Sequence, residues 1–404
     1  MVGGGAAGFF GAIAFAELRR KSRVAILEKS SSVLGKVKIS GGGRCNVTHA
    51  CYEPIPLTHH YPRGEKQLIG PYHRFLTSDT IDWFESRGVE LKVEEDGRIF
   101  PVTDDSATII DCLRSAAEEA GVEVRNRVEV ESLEKSEASW ILQAKGGEAF
   151  ASKLVLLASG GIRNGAGPRL IGELGHEIVP AVPSLFSFHV KDPLLEDLAG
   201  ISVERVITKV PSLELQSDGP ILVTHWGLSG PAILKLSAWG ARELENEDYR
   251  FELLVDWTQG MDRMKVDEGL QEARDRAPRK RVSSGVDFVH LPARLWKRLV
   301  QGAGVGEETT WSNLTKEERR NLLCRITETR LQVDGKSLNK DEFVTAGGVS
   351  LDEVNLRTME SRRAKGLYFA CEVLDIDGIT GGFNFQAAWT TSWIAGRAAA
   401  QSFS

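Results

Sequence analysis

Short apolar runs that alternate with helical patterns predict an α/β fold for the N-terminal part of the chain. The segment Gly3-Gly4-Gly5-Ala6-Ala7-Gly8 follows Val2 directly, and an apolar helical stretch covers residues 9–18. Basic residues at 19–21 end this stretch, where cations suit the negative end of a helix dipole. The apolar run 24–27 comes next and ends on Glu28. This order of glycine turn, helix, strand and acid is typical of a dinucleotide-binding βαβ unit.

Further apolar runs predict the remaining parts of the same sheet. Residues 154–158 precede Ser159-Gly160-Gly161, and residues 366–370 form a similar run, so both are predicted to be buried parallel strands. Alternation over residues 122–150 predicts a meander, and the prolines and glycines of residues 52–76 predict a loop. A long helix is predicted to begin at residues 381–384 and to extend to residue 400.

The middle of the chain breaks this pattern and is predicted to be an insertion. Short β-like runs dominate residues 185–255, whereas residues 261–331 are charged and helical, with a capping-box sequence at Thr315 and Glu318. The predicted parts are the dinucleotide-binding domain (1–185), a β-barrel-like insert (186–260), a helical insert (261–331), the return strand of the insert (332–345) and the C-terminal part of the dinucleotide-binding domain (346–404).

The N-terminal glycines indicate a site for a dinucleotide. Gly3 permits the tight turn, Gly5 lets a pyrophosphate approach the backbone, and Gly8 lets helix and strand pack closely. Free N–H groups at the helix N-terminus attract phosphate, and Glu28 can accept hydrogen bonds from a ribose. The alternative is a glycine-rich turn without a ligand. Because only Met1 and Val2 precede the glycines, either the chain starts upstream of this sequence or the sheet has a shortened central strand.

A second glycine-rich segment, residues 40–48, offers another surface for a ligand. Gly41, Gly42 and Gly43 allow close backbone approach, Arg44 can pair with phosphate, and Asn46 can bond a polar ring edge. The segment lacks a G-K-[ST] ending and is therefore not a P-loop. Cys45 is a candidate proton donor or redox thiol, with a small packed residue as the alternative. A surface turn is the other interpretation of the whole segment.

Several segments together resemble one protein family, the BaiN/RdsA (YhiN-like) family of bacterial NAD(P)/FAD-dependent oxidoreductases. The similarity extends over essentially the whole chain and is carried by residues 40–48 (SGGGRCNVT), 95–101 (EDGRIFP), 224–232 (THWGLSGPA), 345–349 (TAGGV) and 366–382. The resemblance implies FAD as the cofactor. It also implies a Rossmann-like domain of the two-dinucleotide-binding-domain flavoprotein type, with an inserted β-barrel-like domain and a small helical domain.

The resemblance further implies which residues contact FAD. The backbone near Val128 would meet the adenine, Glu372 would contact the ribityl chain or a phosphate, and the N-terminus of the C-terminal helix would point at the isoalloxazine. Cys371 stands where the family usually has glycine, so its side chain could crowd the cofactor. The predicted cofactor-binding residues are Gly3, Gly5, Ala6, Ala7, Gly8, Glu28, Lys29, Ser40, Gly41, Gly42, Arg44, Cys45, Asn46, Val128, Ala158, Ser159, Gly160, Glu372, Asp375, Gly381, Gly382, Phe383 and Asn384.

Composition narrows the class of protein and its compartment. The chain has 404 residues, a net charge of −6 and five cysteines, none of them in a C-x-x-C pair. This cysteine pattern fits a reducing cytoplasm and disfavours a dithiol centre. No apolar run reaches the length of about 18 residues of a membrane helix, and His59 and His60 lack partners at metal-ligand spacing, so we expect neither membrane nor metal. The net charge does not attract nucleic acid, but the basic cluster 274–281 is an exception.

The sequence leaves several functions open. Family resemblance offers reduction of a uridine C5=C6 bond in ribosomal RNA to dihydrouridine, or an oxidation or reduction of a small molecule such as an amine or an enone. A flavin-binding protein that serves RNA or a partner without turnover is a third alternative. Because the chain has no second strand–G-x-G-x-x-G–helix unit, NAD(P)H is expected to bind transiently as electron donor, if at all. His225 is a second candidate proton donor, and a structural histidine is the alternative. The oligomeric state is left open.

Overall fold

The computed structural model describes residues 1–137, 139–162, 167–337 and 344–403. The chain divides into two compact units, one formed by Met1–Ser184 and Lys340–Ser404 and the other by Leu185–Asn339. Much of the return strand predicted at residues 332–345 lies outside the described residues, since 338–343 are not among them. None of the helices in the described part of the chain combines the length and the apolar character needed to cross a membrane.

The helices and strands follow the chain in this order. The helices are α1 (Ala6–Leu18), α2 (Gly35–Ile39), α3 (Pro54–Thr58), α4 (Glu65–Tyr72), α5 (Thr77–Glu85), α6 (Ser106–Glu119), α7 (Gly167–Glu173), α8 (Pro231–Trp239), α9 (Ala241–Asn246), α10 (Arg263–Arg276), α11 (Ala293–Gly302), α12 (Lys316–Thr327) and α13 (Phe383–Ser402). The strands are β1 (Val24–Glu28), β2 (Thr48–His49), β3 (Leu91–Val93), β4 (Arg98–Pro101), β5 (Val122–Asn126), β6 (Val130–Lys135), β7 (Trp140–Ala144), β8 (Ala149–Ser152), β9 (Val155–Leu157), β10 (Ile178–Ser184), β11 (Phe188–Val190), β12 (Ser202–Val210), β13 (Leu215–Thr224), β14 (Gly227–Ser229), β15 (Arg250–Asp256), β16 (Thr329–Lys336), β17 (Val344–Val349), β18 (Val354–Asn355), β19 (Glu360–Ser361) and β20 (Leu367–Phe369).

A parallel sheet forms the centre of the first unit. Strand β1 pairs with β5, and β9 pairs with β20, each in parallel. Val2 joins the two pairs, because it forms parallel bridges to both Leu27 and Leu157. The Val2 N–H donates to the Leu156 carbonyl (2.9 Å), and the Gly3 N–H donates to the Leu27 carbonyl (2.9 Å). The carboxyl ends of these strands therefore meet at one edge of the sheet, the location at which α/β proteins bind ligands.

Helices α1 and α13 pack against each other through glycine. Residues 6–16 of α1 are all buried, which explains why this helix is apolar on every side. A Cβ atom at Gly396 would lie 2.3 Å from the Gly11 carbonyl oxygen, and one at Gly11 would lie 2.6 Å from a methyl of Leu156. The two helix backbones and strand β9 thus approach each other more closely than any side chain would allow.

The described part of the first unit also contains three smaller sheets, β2-β4-β3, β6-β7-β8 and β10-β17, and the short helices α3 and α4. Strands β3 and β4 form the hairpin predicted around Asp96-Gly97, and β6, β7 and β8 form the predicted meander. The prediction of a loop over residues 52–76 is wrong, because this segment contains α3 and α4. Pro54 occupies the first turn of α3, where a missing N–H costs no helical hydrogen bond, so proline here begins a helix and does not break one.

The second unit contains a closed antiparallel barrel with strand order β11-β14-β13-β12-β15-β16. Helices α10, α11 and α12 lie between the last two barrel strands in the sequence. The predicted capping box opens α12, since Thr315 Oγ1 accepts the Glu318 N–H (3.1 Å) and Glu318 Oε2 accepts the Thr315 N–H (2.8 Å). The predicted α/β fold with a β-barrel-like and helical insert is confirmed.

We predict that Gly396→Ala lowers the free energy of unfolding by about 1–3 kcal/mol, because the added methyl group overpacks the contact between α1 and α13. Gly70→Ala is the matched control. Gly70 also lies inside a helix, but a Cβ there meets no atom within 4 Å, so this change should leave the free energy of unfolding unchanged or raise it. Urea unfolding of both variants checks the pair. Equal effects of the two substitutions would contradict this packing.

Candidate cofactor site

The N-terminal glycine turn lies at the carboxyl edge of the parallel sheet. Gly3 has a φ of +107°, and a Cβ there would lie 2.4 Å from the Ala158 carbonyl oxygen. A Cβ at Gly8 would lie 1.9 Å from the Gly3 carbonyl oxygen. A Cβ at Gly5, in contrast, meets no described atom within 4 Å. Packing within the protein therefore requires glycine at positions 3 and 8, whereas position 5 faces open space.

Helix α1 begins directly after this turn and presents its first amide groups to the same space. Gly5 is its N-cap, and no side chain of the described residues caps the helix. No acidic residue lies in the first turn. N–H groups at such a helix end need acceptors and carry a partial positive charge, which makes them a suitable site for phosphate.

Glu28 is held beside the glycine turn at the end of β1. Its Oε2 accepts the Gly4 N–H (2.7 Å), and its Oε1 accepts the Ser30 N–H (2.8 Å). The Val128 N–H donates to the Glu28 carbonyl (2.9 Å), which brings the predicted adenine contact next to the predicted ribose contact. Oε1 also accepts the Ser30 hydroxyl (2.5 Å), whereas Oε2 keeps a lone pair that can accept a hydrogen bond from a ribose hydroxyl.

A cavity of about 120 Å³ opens at this place within the first unit. Its lining includes Gly3, Glu28, Lys29, Val128 and Ser159. Five residues that the sequence analysis assigned to cofactor binding are thus assembled around one space. Ala158 precedes the lining residue Ser159, and its N–H donates to the Val2 carbonyl (2.9 Å). Residues 163–166, which follow this strand and its glycines, lie outside the described residues.

The second glycine segment forms a tight left-handed turn. Ser40–Gly43 is a short 3₁₀ helix, and Gly41, Gly42 and Gly43 have φ angles of +57°, +70° and +88°. A Cβ at Gly42 or Gly43 would meet no described atom within 4 Å. As at Gly5, no packing contact within the described protein requires glycine at these two positions, so the exposed backbone is free to approach a ligand.

Arg44 has a different partner from the predicted phosphate. Its guanidinium binds Glu94 Oε1 (2.6 Å) and lies 4.0 Å from the centre of the Phe100 ring. The hydrogen bond to Glu94 raises the pKa of Arg44 further above its usual range. The structure therefore gives Arg44 a carboxylate partner where the sequence analysis expected a phosphate.

Asn46 connects the second glycine segment to the C-terminal helix. Its amide nitrogen donates to the Thr48 carbonyl (2.9 Å), and its Oδ1 accepts the Gly382 N–H (2.9 Å). Gly382 has a φ of +94°, and a Cβ there would lie 2.5 Å from the Thr48 carbonyl oxygen. Asn46 thus fixes the start of α13, and this role competes with the predicted contact to a ring edge.

Other predicted residues around the start of α13 also have internal roles. Asn384 closes the preceding loop, because its side chain accepts the Gly378 N–H (2.9 Å) and donates to the Gly378 carbonyl (2.8 Å). The Phe383 ring contacts both His49 and His60, at centroid distances of 4.6 and 4.2 Å, and the two imidazoles lie 5.9 Å from each other. Gly381 has a φ of +128°. The sequence analysis did not single out His49, which comes from β2 and reaches this position only through the fold.

Glu372 and Lys36 form an ion pair at the sheet edge. The buried Glu372 carboxylate accepts Lys36 Nζ (2.7 Å) and the Gly161 N–H (3.0 Å) on the same oxygen, Oε2. The predicted Glu372 is thus next to the glycines that follow β9. Sequence reasoning missed Lys36, because its partner lies 336 residues away. Asp375, which is also a predicted contact, donates its backbone N–H to the Val349 carbonyl (3.1 Å).

These residues fit FAD. Two bare glycine backbones, an uncapped helix N-terminus and the Glu28 carboxylate provide the groups that a pyrophosphate and a ribose require. Gly5, Ala6 and Ala7 belong to the same edge as the N-cap and first residues of α1, and Gly160 follows the end of β9 by three residues. No side chain of the described residues blocks this space at Gly5 or Gly42.

Comparison with known proteins supports the same conclusion. The family described as "HI0933-like protein Rossmann domain" matches residues 1–398. The chain belongs to the HI0933-like family. It is 33% identical over 403 residues to a ribosomal RNA dihydrouridine synthase of Escherichia coli (strain K12), with 97% of this chain and 95% of the relative covered. It is 29% identical over 409 residues to a 3-dehydro-bile acid delta(4,6)-reductase of Clostridium scindens, with 99% and 98% covered.

The fold of this HI0933-like protein also recurs among solved structures. A 3-ketosteroid-delta4-(5alpha)-dehydrogenase from Rhodococcus jostii RHA1 is similar over 99% of this chain and 95% of its own, with a TM-score of 0.51 and 14% sequence identity. The resemblance to the BaiN/RdsA family, the Rossmann-like fold and the FAD cofactor are confirmed. The HI0933-like protein is an FAD-dependent oxidoreductase, as predicted.

The two candidate catalytic residues lie in different units. Cys45 is fully buried in the first unit, and burial raises the pKa of its thiol to about 12, although the Ser40 hydrogen bond lowers it slightly. A thiol with this pKa stays protonated near neutral pH, which is the state of a proton donor and not of a nucleophile. His225 is exposed in the turn between β13 and β14 of the second unit. Both catalytic roles stay predictions.

Cys371 adopts a backbone conformation that favours glycine. Its φ is +62°, in the left-handed region, and its N–H donates to Thr391 Oγ1 (2.9 Å). Burial raises the pKa of the Cys371 thiol to about 12. Glycine would suit this position in this chain because it adopts a left-handed backbone conformation without strain.

We predict that Gly5→Ala mainly weakens FAD binding, whereas Gly8→Ala mainly lowers the free energy of unfolding. Gly5→Ala should change the free energy of unfolding by less than about 1 kcal/mol and should weaken FAD binding at least about tenfold, because the methyl group enters the open space at the turn. Gly8→Ala should destabilise the protein by about 3 kcal/mol, because its methyl group meets the Gly3 carbonyl. Urea unfolding without FAD and titration of flavin fluorescence separate the two effects. Unchanged FAD affinity in Gly5→Ala would place the cofactor elsewhere.

We predict that Cys45 reacts with iodoacetamide at pH 8 at least about tenfold more slowly than the partly exposed Cys51 and Cys324. Burial and the resulting scarcity of thiolate both slow the reaction. Time-resolved alkylation followed by peptide mass spectrometry measures each rate in one sample, and denatured protein should show similar rates for all three. Fast labelling of Cys45 in the folded protein would mean that its thiol is accessible and ionised.

Proposed function

We propose that this HI0933-like protein uses FAD to reduce a carbon–carbon double bond, and that its substrate is a uridine of ribosomal RNA. The observation that supports flavin chemistry is that two bare glycine turns, Glu28 and the start of α13 all belong to one unit. The relatives support the reaction class. Reduction of the uridine C5=C6 bond gives dihydrouridine, the product that the names of the Escherichia coli and Haemophilus influenzae relatives state.

When bound, FAD supplies the hydride chemistry. The residues of this chain bind and orient it. The Gly3–Gly8 turn and the first amides of α1 hold the pyrophosphate, Glu28 accepts the ribose hydroxyls, and the Val128 backbone meets the adenine. Glu372, fixed by Lys36 and Gly161, would hold the polar chain of the cofactor.

The start of α13 contributes an electrostatic effect. Gly381 and Gly382 have positive φ angles, and Asn46 fixes the Gly382 N–H, so the first amides of this helix are held in place. Partial positive charge at a helix N-terminus stabilises nearby negative charge. Double-bond reduction also requires a proton, and the neutral thiol of Cys45 and the imidazole of His225 are the candidate donors.

A small-molecule substrate is the second candidate function. It is favoured by the Clostridium scindens relative, whose name specifies a delta(4,6)-reductase of a bile acid and which matches 99% of this chain. NAD(P)H is the proposed transient electron donor in either case. A ribosomal RNA substrate would place the enzyme in the cytoplasm, in agreement with the cysteine pattern.

The test combines purified FAD-loaded protein with NADPH or NADH and unmodified ribosomal RNA, followed by nuclease digestion and mass spectrometry. We expect dihydrouridine to form, with a mass increase equal to two hydrogen atoms, only when protein and reductant are both present. Gly70→Ala should keep this activity, whereas Gly5→Ala should lose most of it with its FAD. Absence of dihydrouridine, combined with NAD(P)H oxidation upon addition of a steroid enone, would transfer the assignment to the small-molecule reaction.

A further inference from the structure

Positive charge is concentrated in one stretch of the second unit. Residues 274–298 contain eight Lys or Arg and two Asp, a net charge of +6 with His neutral, whereas the whole chain has a net charge of −6. We call these eight cations the basic platform. They are Arg274, Arg276, Arg279, Lys280, Arg281, Arg294, Lys297 and Arg298. This clustering of cations creates a local positive potential, although the net charge of the whole chain is negative.

The fold presents the basic platform on a fixed base. The cations come from the end of α10, the turn that follows it, and α11. The buried Trp296 of α11 donates its Nε1–H to the Val282 carbonyl (2.8 Å), which fastens the helix to the turn. The Trp311 N–H donates to the Lys280 carbonyl (3.0 Å) and holds the turn from the other side. Backbone and buried contacts, and not the charges themselves, therefore set the positions of these residues.

Helix α11 separates its apolar and basic residues. Leu295, Trp296, Leu299 and Val300 are buried, whereas Arg294 and Lys297 are exposed. Arg294 and Lys297 are three residues apart and therefore neighbours on one helix face. The apolar face is used inside the unit, so α11 cannot lay it into a lipid bilayer as an amphipathic membrane helix does.

Five cations of the basic platform form no ion pair among the described residues. They are the half-buried Arg274, which donates to the Ser312 carbonyl (3.5 Å), and four exposed residues. Arg279, Lys280, Arg294 and Lys297 are exposed and form no ion pair with any residue in the described part of the chain. Other members do have acidic partners, in the pairs Arg276–Asp287, Arg281–Glu308 and Arg298–Asp197. Arg276, Asp287 and Glu308 are about 70% exposed in these pairs, so the pairs contribute little and can be exchanged for phosphate.

We propose that the basic platform is the surface on which the phosphate backbone of RNA binds. This inference rests on the proposed function, since it names the part of the chain that holds the RNA substrate. Arg and Lys on a rigid, solvent-exposed base provide the sequence-independent contacts that dominate RNA affinity. Uridine reduction then depends on the first unit, and retention of the RNA depends on the platform.

The test measures binding of a fluorescein-labelled RNA hairpin to the FAD-loaded full chain by fluorescence anisotropy, over about 50 to 200 mM salt. Two double variants remove the free cations, Arg279→Glu with Lys280→Glu, and Arg294→Glu with Lys297→Glu. The matched control is Arg20→Glu with Lys21→Glu, which makes the same charge change at exposed residues after α1. We expect each platform variant to weaken binding at least tenfold, to lower the salt slope by about 1.5, and the control to change affinity less than twofold.

Several outcomes would overturn the proposal. One is equal affinity in the platform and control variants, and another is wild-type protein that binds no hairpin at low salt. Polyglutamate that displaces the hairpin at equal charge concentration would assign the platform to an acidic protein partner. FAD content and flavin reduction by NADPH should stay unchanged in all variants. Dihydrouridine formation that is insensitive to the platform variants would refute the surface and keep the function, whereas platform-dependent binding without dihydrouridine would refute the function alone.

Discussion

The close approach of the first glycine turn to the neighbouring strand is the constraint on which the candidate site depends. Gly3 passes the Ala158 carbonyl at a distance that excludes any side chain, and Gly8 brings α1 against Gly3 itself. This packing places the N-terminus of α1 at the carboxyl edge of the sheet, with Gly5 facing open space. Glu28 is fixed at the same place by the Gly4 N–H. Without this approach, the helix end, the carboxylate and the cavity would not share one edge.

Elements set by local pattern could be predicted from the sequence. The βαβ unit, the hairpin at Asp96-Gly97, the capping box at Thr315 and the long helix from Phe383 all depend on residues within a few positions of each other. Helix α3 escaped prediction because proline at a helix start and proline in a loop give the same local signal. Helix α4 escaped it because Pro71 lies inside the helix, where proline normally argues against one.

The partners of the site residues could not be predicted in the same way. Arg44 binds Glu94, Asn46 binds Gly382, and Lys36 binds Glu372, across 50 to 336 residues of sequence. Such pairs depend on how the sheet brings distant segments together. The family resemblance predicted FAD as the cofactor and the general location of its contacts. It did not predict that Asn46 and Asn384 form hydrogen bonds within the protein. The side chains of Asn46 and Asn384 therefore stabilise the backbone of the site through internal hydrogen bonds.

The two units differ in the features they contain. The first unit has the features of a cofactor site, while the second contains the basic platform, the surface that we propose for RNA. Burial also protects the first unit chemically, because it keeps the thiols of Cys45 and Cys371 neutral at physiological pH. Both cysteines have left-handed backbones, with φ angles of +61° and +62°, next to the segments that would contact the cofactor. Backbone shape, more than side-chain chemistry, thus characterises this edge of the sheet.

A visible absorption spectrum of the purified protein under anaerobic conditions tests whether this edge of the sheet binds one FAD per chain. We expect the two bands of oxidised flavin at one equivalent per chain, retained through gel filtration and bleached by NADPH. A protein that carries no flavin and takes up none from added FAD, while its far-ultraviolet circular dichroism shows a folded α/β protein, would rule out FAD binding at this edge.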